Sequence, residues 1–522
     1  MARSVTKSLV TFTGLVLLLL ACAQPRQPAS LTPLVLTPEE SLPPATLPVS
    51  IPPEEKPPSA THGTPGQAPT AGGSTPSGHL ETEGPYVAYI KAIGNEYSAN
   101  LLDVYGDGIV SYRLPLDSTA HIKFDPSPVD LISPSSRYFA YYKGNEQAPY
   151  DLELRIIQLL DGSPMQAIPL LAPDMDAALR TLAEHAIAQD PPAFIGLPEM
   201  LVPEELLFSL QTGIRAHGWS PIADSFAFAS QADGPSSDLY TLSEPNGNLL
   251  RLTSGPQNIQ RLSWSPDGRW IAHGSAFTSA LGSTISNYIV SRDGRILLTL
   301  PEGGLMEGGW ATSDWYFLHE AGHGSGDNSL KAVHLPDQRY IPAWPGPFTS
   351  YALDVPSQTL AVSQYFSEVS EAGTYLTTLR GGIIKQISIP LFGLVAWGRG
   401  PNRFAGSADD GVFAITNEGN TLRLFDEPRR VSISPNNELL VLYELQGKGA
   451  SVVYNASSGE TAHVHDADVR CIRWAPDSES FFFVSSDKLY EYDFREGTSV
   501  LIDQDLLEGR WLACPIKLVA QH

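Results

Sequence analysis

The stretch Trp264-Ser265-Pro266-Asp267-Gly268 decides the fold, because versions of it return along the chain between strand-like segments. Pro at the second position of a type I turn presets φ, Asp or Asn beside it bonds its own backbone, and Gly or Ser completes a tight link between antiparallel strands. The other copies are Ile132-Ser133-Pro134-Ser135, Trp219-Ser220-Pro221, Ile433-Ser434-Pro435-Asn436 and Trp474-Ala475-Pro476-Asp477. The chain is therefore built from one repeated unit.

A second marker follows each first one after roughly 22 to 30 residues, where an Asx- and Gly-rich hairpin link separates two more strand-like runs. These links are Asp161-Gly162, Asn246-Gly247, Asp293-Gly294, Asn417-Glu418-Gly419, Ser458-Gly459 and Glu496-Gly497. Each unit thus reads as four strands with a period of about 40 to 45 residues, which is typical of a β-propeller. We predict an all-β fold, a single propeller of four-stranded blades.

The number of blades stays open at eight or nine. Eight first strands are marked by Ile132, Trp219, Trp264, Trp310, Leu353, Trp397, Ile433 and Trp474. Residues 86–90, 101–105 and 109–114 add three strands without a first strand, and residues 510–513 read as a lone first strand at the other end. Pairing these segments would make a composite ninth blade and remove exposed sheet edges. On this prediction the propeller covers residues 85–514, and residues 515–522 form a C-terminal tail.

The pattern in residues 264–272, Trp-Ser-Pro-Asp-Gly followed by an apolar residue and Ala272, resembles the WD-like propeller repeat of the Tol-system periplasmic protein, or TolB-like repeat. It is also similar to propellers that precede prolyl-peptidase domains. The resemblance covers residues 85–514. It implies a propeller that binds proteins or acts as a gate.

The N-terminus predicts export and a lipid anchor. Arg3 and Lys7 precede an apolar run that is too short to span a bilayer, and Leu19-Leu20-Ala21-Cys22 resembles the cleavage box of bacterial lipoproteins. Residues 1–21 would be the signal peptide, and lipidated Cys22 would hold the protein on a bacterial membrane outside the cytoplasm. The alternative is an ordinary signal peptide with an incidental Cys. Residues 22–84 are rich in Pro, Ser, Thr and Gly, which predicts a disordered tether.

The formal net charge of −24 makes nucleic acid and anionic lipid unfavourable partners. A cationic partner or simple solubility accounts for this charge, and we expect a monomer that engages an envelope or extracellular protein. Cys471 and Cys514 remain as possible thiols in the mature chain. With residues 510–513 as the closing strand, the two cysteines would be displaced by six residues, about 20 Å. We therefore expect two buried free cysteines, unless the ring closes in a different register.

Two histidine clusters resemble metal-binding sites. His319-Glu320-Ala321-Gly322-His323 matches the zinc-protease string, but that chemistry requires a helix, and here a strand precedes a glycine-rich loop. His463 and His465 alternate onto one face of a strand, with Asp466 and Asp468 nearby. Both are weak candidates, so we predict no metal and no other cofactor.

No G-x-S-x-G nucleophile elbow occurs in the chain, and we predict no catalytic residue. The one departure from the blade rhythm is residues 173–212, where Met175, Leu179 and Leu182 recur at helical spacing after the potential N-cap Asp174. A second helix is predicted over residues 204–211. The candidates for a binding face are Met175, Leu179, Leu182, Phe194 and Phe208. The insertion is either a docking surface or lid, or a helical hairpin that only stabilises the rim.

These observations favour a membrane-anchored, non-catalytic protein-binding or scaffolding module of the cell envelope. Two alternatives remain. One is an enzyme, a hydrolase or lyase with its site in the channel or a metal-dependent one that uses the histidine loop. The other is a protein that captures a carbohydrate or small ligand in the channel.

Overall fold

The computed structural model describes residues 84–519, all within the compact unit 70–522. The gaps in this range are residues 107, 118–119, 121–126, 145–151, 174–175, 178–215, 234–235, 256–257, 280–281, 301–307, 321–328, 365–370, 380–381, 400–401, 445–449, 466–468 and 508–513. The described strands form nine antiparallel sheets, eight with four strands and one with three. Each sheet is one blade, which confirms the propeller and sets the number of blades at nine.

Blades 1 to 3 contain the first ten strands, the last strand and a short 3-10 helix, Pro128–Leu131. Blade 1 holds β1 (Tyr86–Ile93), β2 (Glu96–Asp103), β3 (Ile109–Leu114) and, as its inner strand, β35 (Ile516–Val519). Blade 2 holds β4 (Tyr138–Lys143), β5 (Glu153–Gln158) and β6 (Pro164–Pro169). Blade 3 holds β7 (His217–Trp219), β8 (Phe226–Ser230), β9 (Asp238–Leu242) and β10 (Leu249–Arg251).

Blades 4 to 6 follow in chain order from the inner strand outward. Blade 4 holds β11 (Asn258–Trp264), β12 (Trp270–Ser279), β13 (Gly282–Ser291) and β14 (Leu297–Thr299). Blade 5 holds β15 (Gly309–Trp310), β16 (Trp315–Glu320), β17 (Ser329–His334) and β18 (Arg339–Trp344). Blade 6 holds β19 (Ser350–Asp354), β20 (Thr359–Gln364), β21 (Gly373–Thr378) and β22 (Ile383–Ile387).

Blades 7 to 9 repeat the same order. Blade 7 holds β23 (Phe392–Arg399), β24 (Asn402–Ala408), β25 (Gly411–Thr416) and β26 (Thr421–Phe425). Blade 8 holds β27 (Arg430–Ile433), β28 (Leu439–Tyr443), β29 (Ser451–Asn455) and β30 (Thr461–His465). Blade 9 holds β31 (Arg470–Trp474), β32 (Ser480–Ser485), β33 (Lys488–Asp493) and β34 (Thr498–Asp503).

The core consists of nine apolar clusters, one in each gap between neighbouring blades. Leu154 of blade 2 and Phe228 of blade 3, for example, are both fully buried in one such gap. A blade has an apolar residue on each face, so burial is complete only when both neighbours are in place. Because the cluster between blades 9 and 1 is also filled, the ring is closed.

The turn motif is held by its own hydrogen bonds. In Trp264-Ser265-Pro266-Asp267-Gly268, the Gly268 N–H donates to the Ser265 carbonyl at 2.9 Å, and the Ser265 hydroxyl donates to Asp267 Oδ1 at 2.7 Å. The Trp270 N–H then donates to Ser265 Oγ at 2.9 Å, which ties the turn to β12. Gly268 has φ +63°, and a Cβ there would lie 2.4 Å from Ser220 Oγ of blade 3. The positive φ favours glycine here, although Ser136, Asn437 and Ser478 adopt it at the same turn position, and the close approach to Ser220 leaves little space for a side chain.

The tryptophan that precedes the turn links neighbouring blades. Its indole N–H donates to the inner segment of the preceding blade. The acceptor is the residue directly before the one that occupies the tryptophan position in that blade. The pairs are Trp219 to the Leu131 carbonyl, Trp264 to the Gly218 carbonyl, Trp310 to the Ser263 carbonyl and Trp474 to Ser432 Oγ. Trp397 differs, because it packs in the gap toward blade 8 and donates to the Asn437 carbonyl of that following blade.

The inner strand of blade 1 corrects two predictions. It is β35 (Ile516–Val519), paired with β1 so that Val519 faces Tyr86, and not residues 510–513. The propeller therefore includes residues that were predicted to be a C-terminal tail. The local pattern around Trp511 resembled other first strands, but the register is decided by packing against β1, a segment at the opposite end of the propeller sequence.

The prediction of two free cysteines is also wrong, for the same reason. With β35 in this register, Cys514, two residues before its start, lies beside Cys471 in the inner strand of blade 9. Cys471 and Cys514 form a disulfide with a Cα–Cα distance of 5.2 Å. The bond therefore connects blade 9 to the strand that closes blade 1.

Blade 2 is the least regular blade. Its inner strand is reduced to a single bridge between Ile132 and Phe139, so its sheet has three strands. The predicted helical insertion follows this blade. The Asp176 N–H donates to the Ala172 carbonyl at 2.9 Å, which begins a helical turn at Pro173, ahead of the predicted N-cap Asp174. Among the described residues, no helix has the length and apolar character needed to cross a membrane.

Candidate functional site

The two faces of the ring differ in the length of their connections. Within each blade, successive connections leave from alternate ends of the strands, so first-to-second and third-to-fourth links share one face. These links contain six residues or fewer, and we call this side the short-turn face. The second-to-third links and the connections between blades share the other side, the long-connection face. The chain leaves β6 and β16 at this face, and it enters β7 and β17 there.

His319 lies in β16 of blade 5, which ends at the long-connection face. Its ring packs edge-on against Phe348 at 4.8 Å and Tyr351 at 5.4 Å between ring centres, on the side of blade 6. The strand conformation agrees with the argument that this string lacks the helix required by zinc proteases. His323, the other histidine of the string, lies outside the described residues.

The prediction that His463 and His465 share one face of a strand is wrong. A register shift in β30, between the partners Ser451 and Val452, interrupts the alternation. His463 is exposed, whereas the ring of His465 packs against Tyr490 of blade 9 at 4.8 Å between ring centres. Asp466 and Asp468 lie outside the described residues. Across the part of the chain that the structure describes, no group of three or more His, Cys, Asp or Glu side chains could hold a metal ion.

The remaining predicted residues fall outside the described part of the chain. They are Cys22, Met175, Leu179, Leu182, Phe194 and Phe208. Only the start of the insertion, up to Ala177, is described, and it is helical at Pro173 and at Asp176 and Ala177. By connectivity this segment leaves from the long-connection face, the same face at which β16 and β30 end.

A cluster that the sequence reasoning missed lies on the inner strands of blades 9 and 1. Arg473 is the residue before Trp474, and Trp474 pairs with Phe481 and packs toward the preceding blade. In blade 1, Leu518 pairs with Val87 and likewise packs toward the preceding blade. Lys517 therefore occupies in blade 1 the position that Arg473 occupies in blade 9, and two cationic side chains are placed side by side on neighbouring inner strands.

No other blade in which this position can be assigned carries a charge there. The equivalent residues of blades 2, 3, 4, 5, 6 and 8 are Leu131, Gly218, Ser263, Gly309, Ala352 and Ser432. The assignment rests on the residue that follows each of them, which pairs with the second strand as Trp474 does. The residues at this position of the inner strands are thus small or apolar, except in blades 9 and 1, where they are cationic.

Lys517 donates through Nζ to the Ile132 carbonyl of blade 2 at 3.0 Å, and Arg473 donates through Nη1 to its neighbour Ile472 carbonyl at 3.2 Å. Within the described chain, neither forms an ion pair with a carboxylate. Asp130, in the short 3-10 helix, is the acidic group that acts on both at longer range. We call Arg473, Lys517 and Asp130 the basic cluster.

Burial governs the electrostatics of this cluster. It lowers the pKa of Lys517 and of Arg473, with Asp130 partly opposing the shift in both. Arg473 lowers the pKa of Lys517 further, because the two positive charges repel each other. Both residues are partly buried. A negatively charged group placed between them would relieve the repulsion.

The sequence alone could have identified Arg473 but not Lys517. Arg473 directly precedes the tryptophan position that recurs in the repeat motif, and a comparison of the preceding residue among the repeats would have marked Arg473 as unusual. Lys517 could not be found in this way, because its segment was predicted to be a tail. Its position depends on the register of β35.

No protein-family model matches the chain, and no curated protein matches it. Among solved structures, the chain is similar to a eukaryotic initiation factor, with 12% identity and a TM-score of 0.48 over 82% of this chain and 99% of that chain. It is also similar to dipeptidyl peptidase 4 of Porphyromonas gingivalis, with 11% identity and a TM-score of 0.39 over 76% of this chain and 64% of that one. A prolyl endopeptidase structure gives 16% identity and a TM-score of 0.37 over 63% of this chain and 55% of the other, so the chain spans little more than half of that peptidase. Likeness at this level carries no argument about function.

Proposed function

We propose that this protein is a non-catalytic protein-binding or scaffolding module that works outside the cytoplasm and is held at a membrane through lipidated Cys22. The observation that carries the proposal is the asymmetry of the two ring faces. Short, uniform turns cover one face, whereas the longest connection, residues 170–216, leaves from the other. Binding residues favour irregular connections held by a rigid scaffold, so we place the partner on the long-connection face.

The disulfide between Cys471 and Cys514 supports the compartment part of the proposal. Disulfides persist in oxidising environments and are rare in the reducing cytosol. The export signal and the Pro-rich stretch before residue 85 fit the same location. Because the chain has a net charge of −24, a partner surface with basic residues would be attracted to it.

The test is crosslinking and affinity capture of the full-length tagged chain from its host, with two variants compared with the wild type. In the first, residues 178–212 are replaced by a short Gly-Ser linker. In the matched control, a linker of the same length is inserted between Glu496 and Gly497, in a hairpin of the short-turn face. Both variants are first checked for an unchanged circular dichroism spectrum and melting temperature.

The proposal expects a stoichiometric partner protein that is lost in the first variant and retained in the control. A partner retained equally by both variants would move the contact away from the insertion. Capture of the chain alone, with the crosslinker shown to be active on a known envelope pair, would count against the scaffolding role.

A further inference from the structure

We propose that Arg473 and Lys517 form a binding site for a small oxyanion, a carboxylate or phosphate group, on the inner wall of the ring. This site is separate from the docking face proposed above. Arg473 is the penultimate residue of β31, next to the short-turn face, whereas the insertion leaves from the opposite face. The two proposals can therefore fail independently.

The repeated geometry of the ring sets Arg473 and Lys517 apart. One position recurs in each inner strand, and it holds a small or apolar residue in six blades and a cation in blades 9 and 1 only, among the blades in which it can be assigned. A small residue at this level is sufficient for the fold, since blades 3, 4, 5, 6 and 8 form with glycine, serine or alanine there. Lys517 also bonds the Ile132 carbonyl of blade 2, but a structural contact of this kind gives no reason for a second cation, Arg473, beside it.

The positive charges of Arg473 and Lys517 have no direct compensation within the described residues. The chain has 57 acidic residues against 33 Lys and Arg, yet within the described residues neither Arg473 nor Lys517 has an ion-pair partner. Their recorded hydrogen bonds go to backbone carbonyls, of Ile472 and Ile132. Asp130 offsets the two charges only at longer range, so an anion bound directly between them would lower the cost of holding two like charges in a partly desolvated place.

The side chains of Arg473 and Lys517 are complementary donors for an oxyanion. A guanidinium presents a planar fork that bonds two oxygens of one carboxylate or phosphate, and an ammonium adds a compact point charge. Arg473 and Lys517 come from different strands, so they can approach one oxyanion from two sides. Asp130 and the strongly negative net charge disfavour polyanions, which leaves small ligands with one such group.

The experiment is isothermal titration calorimetry on the full chain at low ionic strength, with inorganic phosphate as one probe and acetate as the other. The variants are Arg473→Gln, Lys517→Met and the double substitution. Arg113→Gln is the control, because Arg113 is exposed on β3 and paired with Glu96. Each titration is paired with a melting curve with and without the probe, since a ligand that binds the folded state raises the melting temperature.

The expected result is saturable binding of at least one probe by the wild type and the control. Binding should weaken at least tenfold in each single variant and be absent in the double one. Whichever probe binds more tightly identifies the oxyanion as phosphate or carboxylate.

Two outcomes would overturn the proposal. One is the absence of saturable binding for both probes in a wild type that melts cooperatively. The other is binding that survives in the double variant or weakens equally in Arg113→Gln, which would indicate general attraction to surface cations.

Discussion

The indole nitrogen of Trp264 in blade 4 lies 2.9 Å from the backbone oxygen of Gly218 in blade 3. Trp219 makes the same bond to Leu131 of blade 2, and Trp310 to Ser263 of blade 4. The tryptophan of the repeat therefore connects neighbouring blades. Its indole hydrogen bond fixes the position of one inner strand relative to the next. Trp310 makes this inter-blade bond although its repeat lacks the Ser-Pro turn.

The first prediction concerns this bond. Trp264→Phe keeps an aromatic ring in the gap but removes the indole donor, which leaves the Gly218 carbonyl without its partner. We expect a loss of about 1 to 3 kcal/mol in the free energy of unfolding, measured by urea denaturation. Trp315→Phe is the matched control, because Trp315 is similarly buried but has no recorded indole hydrogen bond within the described structure. Equal losses in both variants would show that ring volume, and not the bond, is responsible.

The second prediction concerns ring closure. Replacing both Cys471 and Cys514 by Ala removes a crosslink between residues 43 positions apart. The loop-closure model gives a loss of about 4 kcal/mol. Thermal unfolding of the wild type should shift to lower temperature when a reductant is added, toward the value for the double variant. The reductant should leave the double variant itself unchanged. A wild type that is insensitive to complete reduction would contradict the crosslink's stabilising role.

The third prediction concerns acid stability. Burial lowers the pKa of His273 to about 3, and its Nδ1 lies 3.3 Å from Ser275 Oγ. An unfolded histidine titrates near 6.5, so below that pH the unfolded state binds more protons and the free energy of unfolding falls as the pH falls toward about 3. The slope reaches at most about 1.4 kcal/mol per pH unit, so lowering the pH from 6.5 to 4.5 costs about 2 kcal/mol or slightly more.

His273→Gln should lower stability at pH 7.5 but flatten the profile between pH 6.5 and 4.5, as measured by urea midpoints. The matched control is His463→Gln, at an exposed position of β30, which should keep the slope of the wild type. An unchanged slope in His273→Gln would show that other groups cause the acid sensitivity.

The fourth prediction concerns the membrane anchor. Cys22→Ser removes the thiol that would receive the lipid, so the protein should move from the membrane fraction to the soluble extracytoplasmic fraction. Intact-mass spectrometry should show acyl chains on the wild type and none on the variant. Ala23→Ser, a neighbouring substitution that keeps the thiol, is the control. Retention of Cys22→Ser in membranes, at the level of the wild type, would contradict lipid anchoring.

Local chemistry explains why the fold could be predicted. The hydrogen bonds that define the turn all lie between residues 265 and 270, so their signal is contained in a few adjacent residues. Repetition of that signal predicts antiparallel strands at a constant period, and such strands bury both faces only in a ring. The sequence by itself therefore determined an all-β propeller of four-stranded blades.

Only the tertiary structure decided how the ring closes. The choice of nine blades, the Cys471–Cys514 bond and the position of Lys517 all depend on Val519 pairing with Tyr86. Those two residues lie at opposite ends of the propeller sequence, and residues 510–513 carried a similar local pattern in a different register. Inter-blade packing chooses between such alternatives, because a shifted strand would expose the residues that now fill the gap between blades 9 and 1.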